Sequence, residues 1–175
     1  MAHWGRYIET QVNDGWTPYL LTFQYRQIGG SRRRMIDEMS KEVERVYATL
    51  LTRVIRRPTS AGSVGMHPVW IVCPDYPVWK REKQLVRDVT VNDGIHFQGV
   101  GLMPPKSRLA QPLDKHFDEN AAFYVRGKLP LIRAHAKPIT ESIGRATDYT
   151  MKAFKTGRVS HDEMLILPRA LSEIP

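Results

Sequence analysis

The sequence predicts one α/β (α+β) domain in which an antiparallel or mixed sheet carries its helices on one side. Three observations point there. The chain has 175 residues, of which 42% are hydrophobic and 25% charged, a composition that suits a single ordinary core. An apolar, aromatic strand-like run is followed at once by a long amphipathic helix. Further on, a strong turn signal separates two strand-like runs, so hairpins and crossover helices alternate along the chain.

Tyr19 to Gln27 (YLLTFQYRQ) forms the first strand, rich in aromatic and aliphatic side chains and ended by Gly29 and Gly30. A helix follows from about Ser31 to Arg57, stopped by Pro58, with Met35, Met39, Val43, Val46, Leu50 and Val54 in one apolar stripe. The Ser/Gly-rich stretch from Thr59 to Gly65 is a loop, and Pro68 to Cys73 is a second strand. Pro74 to Gln84, with two prolines and several charges, reads as a surface excursion. Asp88 to Val91 and Ile95 to Met103 read as a hairpin about Asn92-Asp93-Gly94, ended by Pro104 and Pro105. Leu109 to Phe123 is a short helix, Leu129 to Pro138 a strand, Thr147 to Thr156 a helix closed by Gly157, and Met164 to Leu167 an edge strand.

The formal charge is +8, from 26 Lys plus Arg against 18 Asp plus Glu, which favours a polyanionic partner. Arg32, Arg33 and Arg34 occupy the first turn of the long helix, where positive charge opposes the helix dipole. They read either as a solvated surface run or as a phosphate-contacting patch. No apolar run approaches the roughly 20 residues of a membrane-spanning helix, and the N-terminus lacks the apolar block of a secretory signal. Cys73, the only cysteine, lies in the apolar run VWIVC and reads as a small core residue. An intracellular, cytoplasmic setting is expected. Walker and Rossmann glycine patterns are absent.

Two clusters carry the chemistry. In a strand, residues two apart face the same way, so His96 and Gln98 project together while Phe97 points to the other side. An imidazole nitrogen and an amide oxygen can bind one divalent cation, and such a mixed site accepts Mg²⁺ or Mn²⁺. A three-residue loop at Asn92-Asp93-Gly94 pairs Val91 with Ile95 and Asp88 with Gln98, which brings the Asp88 carboxylate to the same face; a two-residue turn would reverse that parity. Gly99 leaves room for another chain or a nucleic-acid backbone to approach. Near the C-terminus, Tyr149 and Lys152 share one helix face, while Met151 and Phe154 line a neighbouring apolar face. Phenol and ammonium side by side suit phosphoryl transfer, the one as nucleophile and the other as charge stabiliser. The same segment also reads as an ordinary amphipathic helix. Lys155 and Arg158, just beyond, join the three arginines as nucleic-acid-binding candidates.

These clusters, in this order in a small basic α/β chain, resemble the HUH endonuclease superfamily, specifically the replication initiator (Rep) proteins of rolling-circle elements. That family places a histidine-hydrophobic-histidine motif on a central strand, and some members carry His-hydrophobic-Gln, as His96-Phe97-Gln98 does here. Its catalytic helix carries Tyr-x-x-Lys, matched by Tyr149 to Lys152. Leu21-Thr22-Phe23 is similar to its first motif. The resemblance covers roughly residues 19–156. It implies a central, mainly antiparallel five-stranded sheet with packed helices and a Mg²⁺ or Mn²⁺ site. The implied activity is sequence-specific nicking and strand transfer of single-stranded DNA through a 5′-phosphotyrosine, at the origin or end of a plasmid, phage or transposon. The domain is set at 19–168, with 1–18 an N-terminal extension and 169–175 a C-terminal tail. The family's acidic ligand is assigned to Asp88, with Asp75 and Asp93 behind it. One tyrosine in the motif suits a single-tyrosine initiator or transposase, and a host helicase is the expected partner.

The chief alternative is a non-catalytic nucleic-acid-binding protein with the same fold, which needs the arginines but not Tyr149. A structural domain of a mobile element and a metal nuclease using water as nucleophile are further readings. Trp4, Trp16, Trp70 and Trp79 could stack bases in any of the binding readings.

Overall fold

The computed structural model describes residues 2–76, 91–140, 144, 157 and 159–169. Its centre is a five-stranded antiparallel sheet built from β1 (Thr17–Tyr25), β2 (Val69–Asp75), β3 (His96–Met103), β4 (Leu131–Pro138) and β5 (Leu165–Leu167). The spatial order is β4-β1-β3-β2-β5, so the strand carrying His96 and Gln98 is central. Among the described residues four α-helices accompany it: α1 (Ala2–Asn13), α2 (Arg32–Val54), α3 (Leu113–Glu119) and α4 (Ala121–Tyr124).

Strand alternation sorts the side chains into two layers. Leu21, Phe23, Trp70, Val72 and Phe97 point to one face and pack with the stripe of α2, where Met39, Val43, Val46, Leu50 and Val54 are buried. Burial of each such side chain stabilises the fold by about 1.5–3 kcal/mol. The α2 helix starts where Ser31 Oγ accepts from the Arg34 N–H at 3.3 Å, and it ends where Ile55 turns extended, three residues before Pro58. Tyrosine hydroxyls fix it to its surroundings: Tyr25 donates to the Met39 carbonyl at 3.2 Å and Tyr47 to the Pro68 carbonyl at 2.8 Å.

The opposite face has its own smaller core, in which Val69, Ile71, Val100 and Leu102 meet Ile8 and Trp16. Helices therefore cover both faces, not one. Residues 1–18, set apart as an extension, include α1 and the start of β1, and Ile8 is fully buried there.

The hairpin read from Asn92-Asp93-Gly94 takes a different form. These three residues do turn, all with positive φ (53°, 52° and 76°), and β3 pairs with β1 and β2. Both of its sides are taken: Gln98 lies between Thr22 of β1 and Cys73 of β2, and His96 lies opposite Asp75. The ladder positions on either side of Gln98 are therefore held by β1 and β2, and Val91 belongs to the turn. Asp88 itself, residues 77–87 and the predicted helix 147–156 lie outside the described residues.

Gly99 serves the sheet and not an outside partner. A Cβ there would fall on the Ile71 carbonyl oxygen and the Val72 backbone, on the α2 side. Trp70 is fully buried and Trp16 nearly so, which removes both as base-stacking platforms, while Trp4 packs against Tyr7 at the edge of the second core. Trp79 lies outside the described residues. Among the described residues no helix is long and apolar enough to cross a membrane.

Candidate functional site

The second face divides along the strands. Its Leu102 end lies under α1, whereas at the His96 end Thr22 is half-buried and Gln24 exposed. Across this end the register aligns Cys73, Gln98, Thr22 and His135 in one row. Residues directly opposite in a ladder share a face, so these four side chains project together. The next row holds Asp75 opposite His96 on one side and Gln24 opposite Arg133 on the other.

His96 and Asp75 face each other with Nε2 and Oδ2 3.9 Å apart. His96 Nδ1 lies 3.2 Å from the Gly94 carbonyl oxygen, which can only accept, so Nδ1 carries the proton in this contact and the neutral ring keeps its lone pair on Nε2. That is the arrangement by which backbone carbonyls orient metal-binding imidazoles. The Tyr76 N–H donates to Asp75 Oδ1 at 2.9 Å, leaving Oδ2 turned toward the histidine. Gln98 is 6% exposed, and its amide has no hydrogen-bond partner among the described residues.

These residues fit a divalent cation. The donors are an imidazole nitrogen, a carboxylate and an amide, and the 3.9 Å span is shorter than two metal–oxygen bonds of about 2.1 Å end to end. No three His, Cys, Asp or Glu side chains converge among the described residues; the Gln98 amide stands in the adjacent row of the same face. Whereas Asp88 lies outside the described residues, Asp75, placed behind it by the sequence, stands opposite His96. Its signal was available: two residues beyond Cys73, it continues the alternation of β2. Asp93 is in the turn at φ 52°. Cys73 is buried, and burial, with Asp75 and Glu163 adding, pushes its thiol up to about 12, so it stays protonated at neutral pH.

The three arginines open α2 as expected, but their surroundings differ. Arg32 donates through Nε to the Tyr76 hydroxyl at 2.8 Å and pairs with Glu163 at 2.9 Å. Arg33 and Arg34 are exposed. The groove beside them also contains Asp37, Glu44, Asp162 and Glu163, so its charge is mixed. Tyr149, Lys152, Lys155 and Arg158 lie outside the described residues.

A basic alternation in β4 went unread in the sequence. Arg133, His135 and Lys137 stand two apart on the edge strand, on the same face as His96 and Gln98. Comparison of the chain with protein families, with curated proteins and with solved structures gives no match.

Proposed function

We propose that this protein is a single-strand DNA endonuclease of the HUH type that nicks and rejoins DNA through Tyr149, as in replication initiation of a mobile element. The observation that carries the reading is the central-strand site, where His96 Nε2 and Asp75 Oδ2 stand 3.9 Å apart beside the unpartnered Gln98 amide. The motif order supports it too, since Tyr149 and Lys152 follow in the Tyr-x-x-Lys arrangement. His96, Gln98 and Asp75 would hold Mg²⁺ or Mn²⁺. When bound, such an ion offsets negative charge developing on the scissile phosphate. The Tyr149 oxygen attacks phosphorus in line; its O–P bond forms as the bond to the 3′-oxygen breaks. The phenol proton ends on the released 3′-hydroxyl, and the strand stays linked to Tyr149 through its 5′-phosphate. Lys152, three residues along the sequence, stabilises the phenolate and the phosphate charge. Reversal of the same steps rejoins the strand. Single-stranded DNA is the partner, with a host helicase opening the duplex.

The test is covalent capture. The protein incubated with labelled single-stranded oligonucleotides spanning its own origin and Mn²⁺ gives an adduct that survives boiling in detergent and maps to Tyr149. Tyr149→Phe abolishes the adduct with fold and affinity intact, and His96→Ala and Asp75→Asn abolish it by removing metal donors. Persistent cleavage by Tyr149→Phe would indicate a nuclease that uses water. Binding of the origin strand without cleavage in either metal would leave a non-catalytic binding protein.

A further inference from the structure

The edge of the sheet next to this site has a shape and charge that the nuclease chemistry does not use. Among the described residues strand β4 pairs only with β1, and a bulge between Gln24 and Tyr25 interrupts the ladder: Tyr25 pairs with Leu131 but Gln24 with Arg133. The extra residue is Ile132. An unbroken strand would place Leu131 and Arg133 on one face. The bulge instead lets Leu131 enter the α2 core while Arg133 turns to the opposite face, and it leaves Ile132 48% exposed. Val91, in the turn before β3, is 46% exposed. The two apolar side chains line one open cleft with Arg26, Thr22, Gln24 and His96. Beyond it, Arg133 and Lys137 are exposed on one face about 13 Å apart along the strand, and the strand itself has no acidic residue. Neither cation has an ion-pair partner among the described residues.

We infer that β4 is a track for single-stranded nucleic acid: Arg133 and Lys137 contact successive phosphates, and one unpaired base lodges in the cleft between Val91 and Ile132, beside His96. The charge is complementary to a phosphate backbone, and the apolar rims suit the faces of a base that has left its stack. A duplex cannot deliver a base to this cleft without unpairing it. The placement rests on the nuclease reading of His96, but the binding claim does not require cleavage.

The experiment measures anisotropy of a labelled oligothymidylate of about 12 nucleotides against salt, in chelator so that no cleavage occurs. The double variant Arg133→Gln/Lys137→Gln should bind about tenfold more weakly, and its log–log salt slope should shrink by about 1.4, roughly 0.7 per lost phosphate contact. Ile132→Ser should bind about fivefold more weakly at an unchanged slope, because it removes apolar contact and no charge. Arg56→Gln/Arg57→Gln, exposed beyond the end of α2, loses the same charge and should keep the parental slope. A β4 double variant that binds like the parent, or loses no more than the Arg56/Arg57 control, overturns the track. Equal binding of the oligothymidylate by parent and Ile132→Ser overturns the base cleft. Cleavage by a parent whose β4 variant binds normally leaves the nuclease standing and the track refuted. Loss of binding in the β4 variant of a parent that never cleaves does the reverse.

Discussion

Asn92 shows how much one side chain can organise. It is 1% exposed, sits at φ 53°, and makes three hydrogen bonds to the segment that leaves β1. Its Oδ1 accepts from the Ile28 N–H at 2.8 Å, its Nδ2 donates to the Arg26 carbonyl at 2.9 Å, and its own N–H donates to Gln27 Oε1 at 3.0 Å. The turn that launches His96 is thus anchored to the end of the neighbouring strand. Asn92→Gly keeps the backbone conformation and loses two side-chain bonds, whereas Asn92→Ala adds strain at positive φ. Urea unfolding should show Asn92→Gly less stable than the parent by about 2 kcal/mol and Asn92→Ala less stable still by about 1 kcal/mol. Equal losses would mean that the left-handed backbone costs nothing here. At this scale the sequence was partly legible. The turn was visible because Asn, Asp and Gly favour left-handed backbone, but no local signal reveals that Asn92 reaches across to Ile28. The metal donors divide in the same way. His96 and Gln98 follow from strand alternation alone, while the acid depends on which strand lies alongside, and that strand is β2 with Asp75.

At the scale of elements, α2 was legible nearly to its ends, since its apolar stripe, Ser31 and Pro58 all act within one segment. All five described strands were found with boundaries moved by no more than two residues, because strand ends depend on partners. The helix α1 was missed as an element, although Trp4, Ile8 and Val12 recur every four residues. Its polar remainder and its position at the chain start masked the periodicity. Its contribution is measurable. Ile8 is fully buried against the second face, so Ile8→Ala should lower stability by about 3 kcal/mol in urea unfolding, as large-to-small changes in a core do. A true extension would show less than about 0.5 kcal/mol. Covering one end of that face with α1 also confines the polar residues of β3 and β2 to the other end, where Gln98 and Asp75 stand.

For the whole molecule, the charge of +8 is unevenly used. Arg32 is committed to Tyr76 and Glu163, whereas Arg33 and Arg34 are exposed at the start of α2. Replacing Arg33 and Arg34 with Gln should therefore flatten the salt dependence of DNA binding similarly for all sequences, with little change in melting temperature. Arg32→Gln should instead lower the melting temperature, because the Tyr76 hydroxyl and the Glu163 carboxylate both lose the guanidinium they share. An unchanged salt slope in the double variant would reduce the pair to solvated surface. The sheet order has a consequence for how the chain reaches its native state. Among the described residues no ladder joins strands across a tight turn: β1 waits for β3 and β4, and β2 waits for β3 and finally for β5. A ribosome must therefore release most of the chain before the first strand acquires either neighbour. Closing such long loops costs entropy before any contact repays it, which places refolding toward the slow, millisecond-to-second end of the range for small domains.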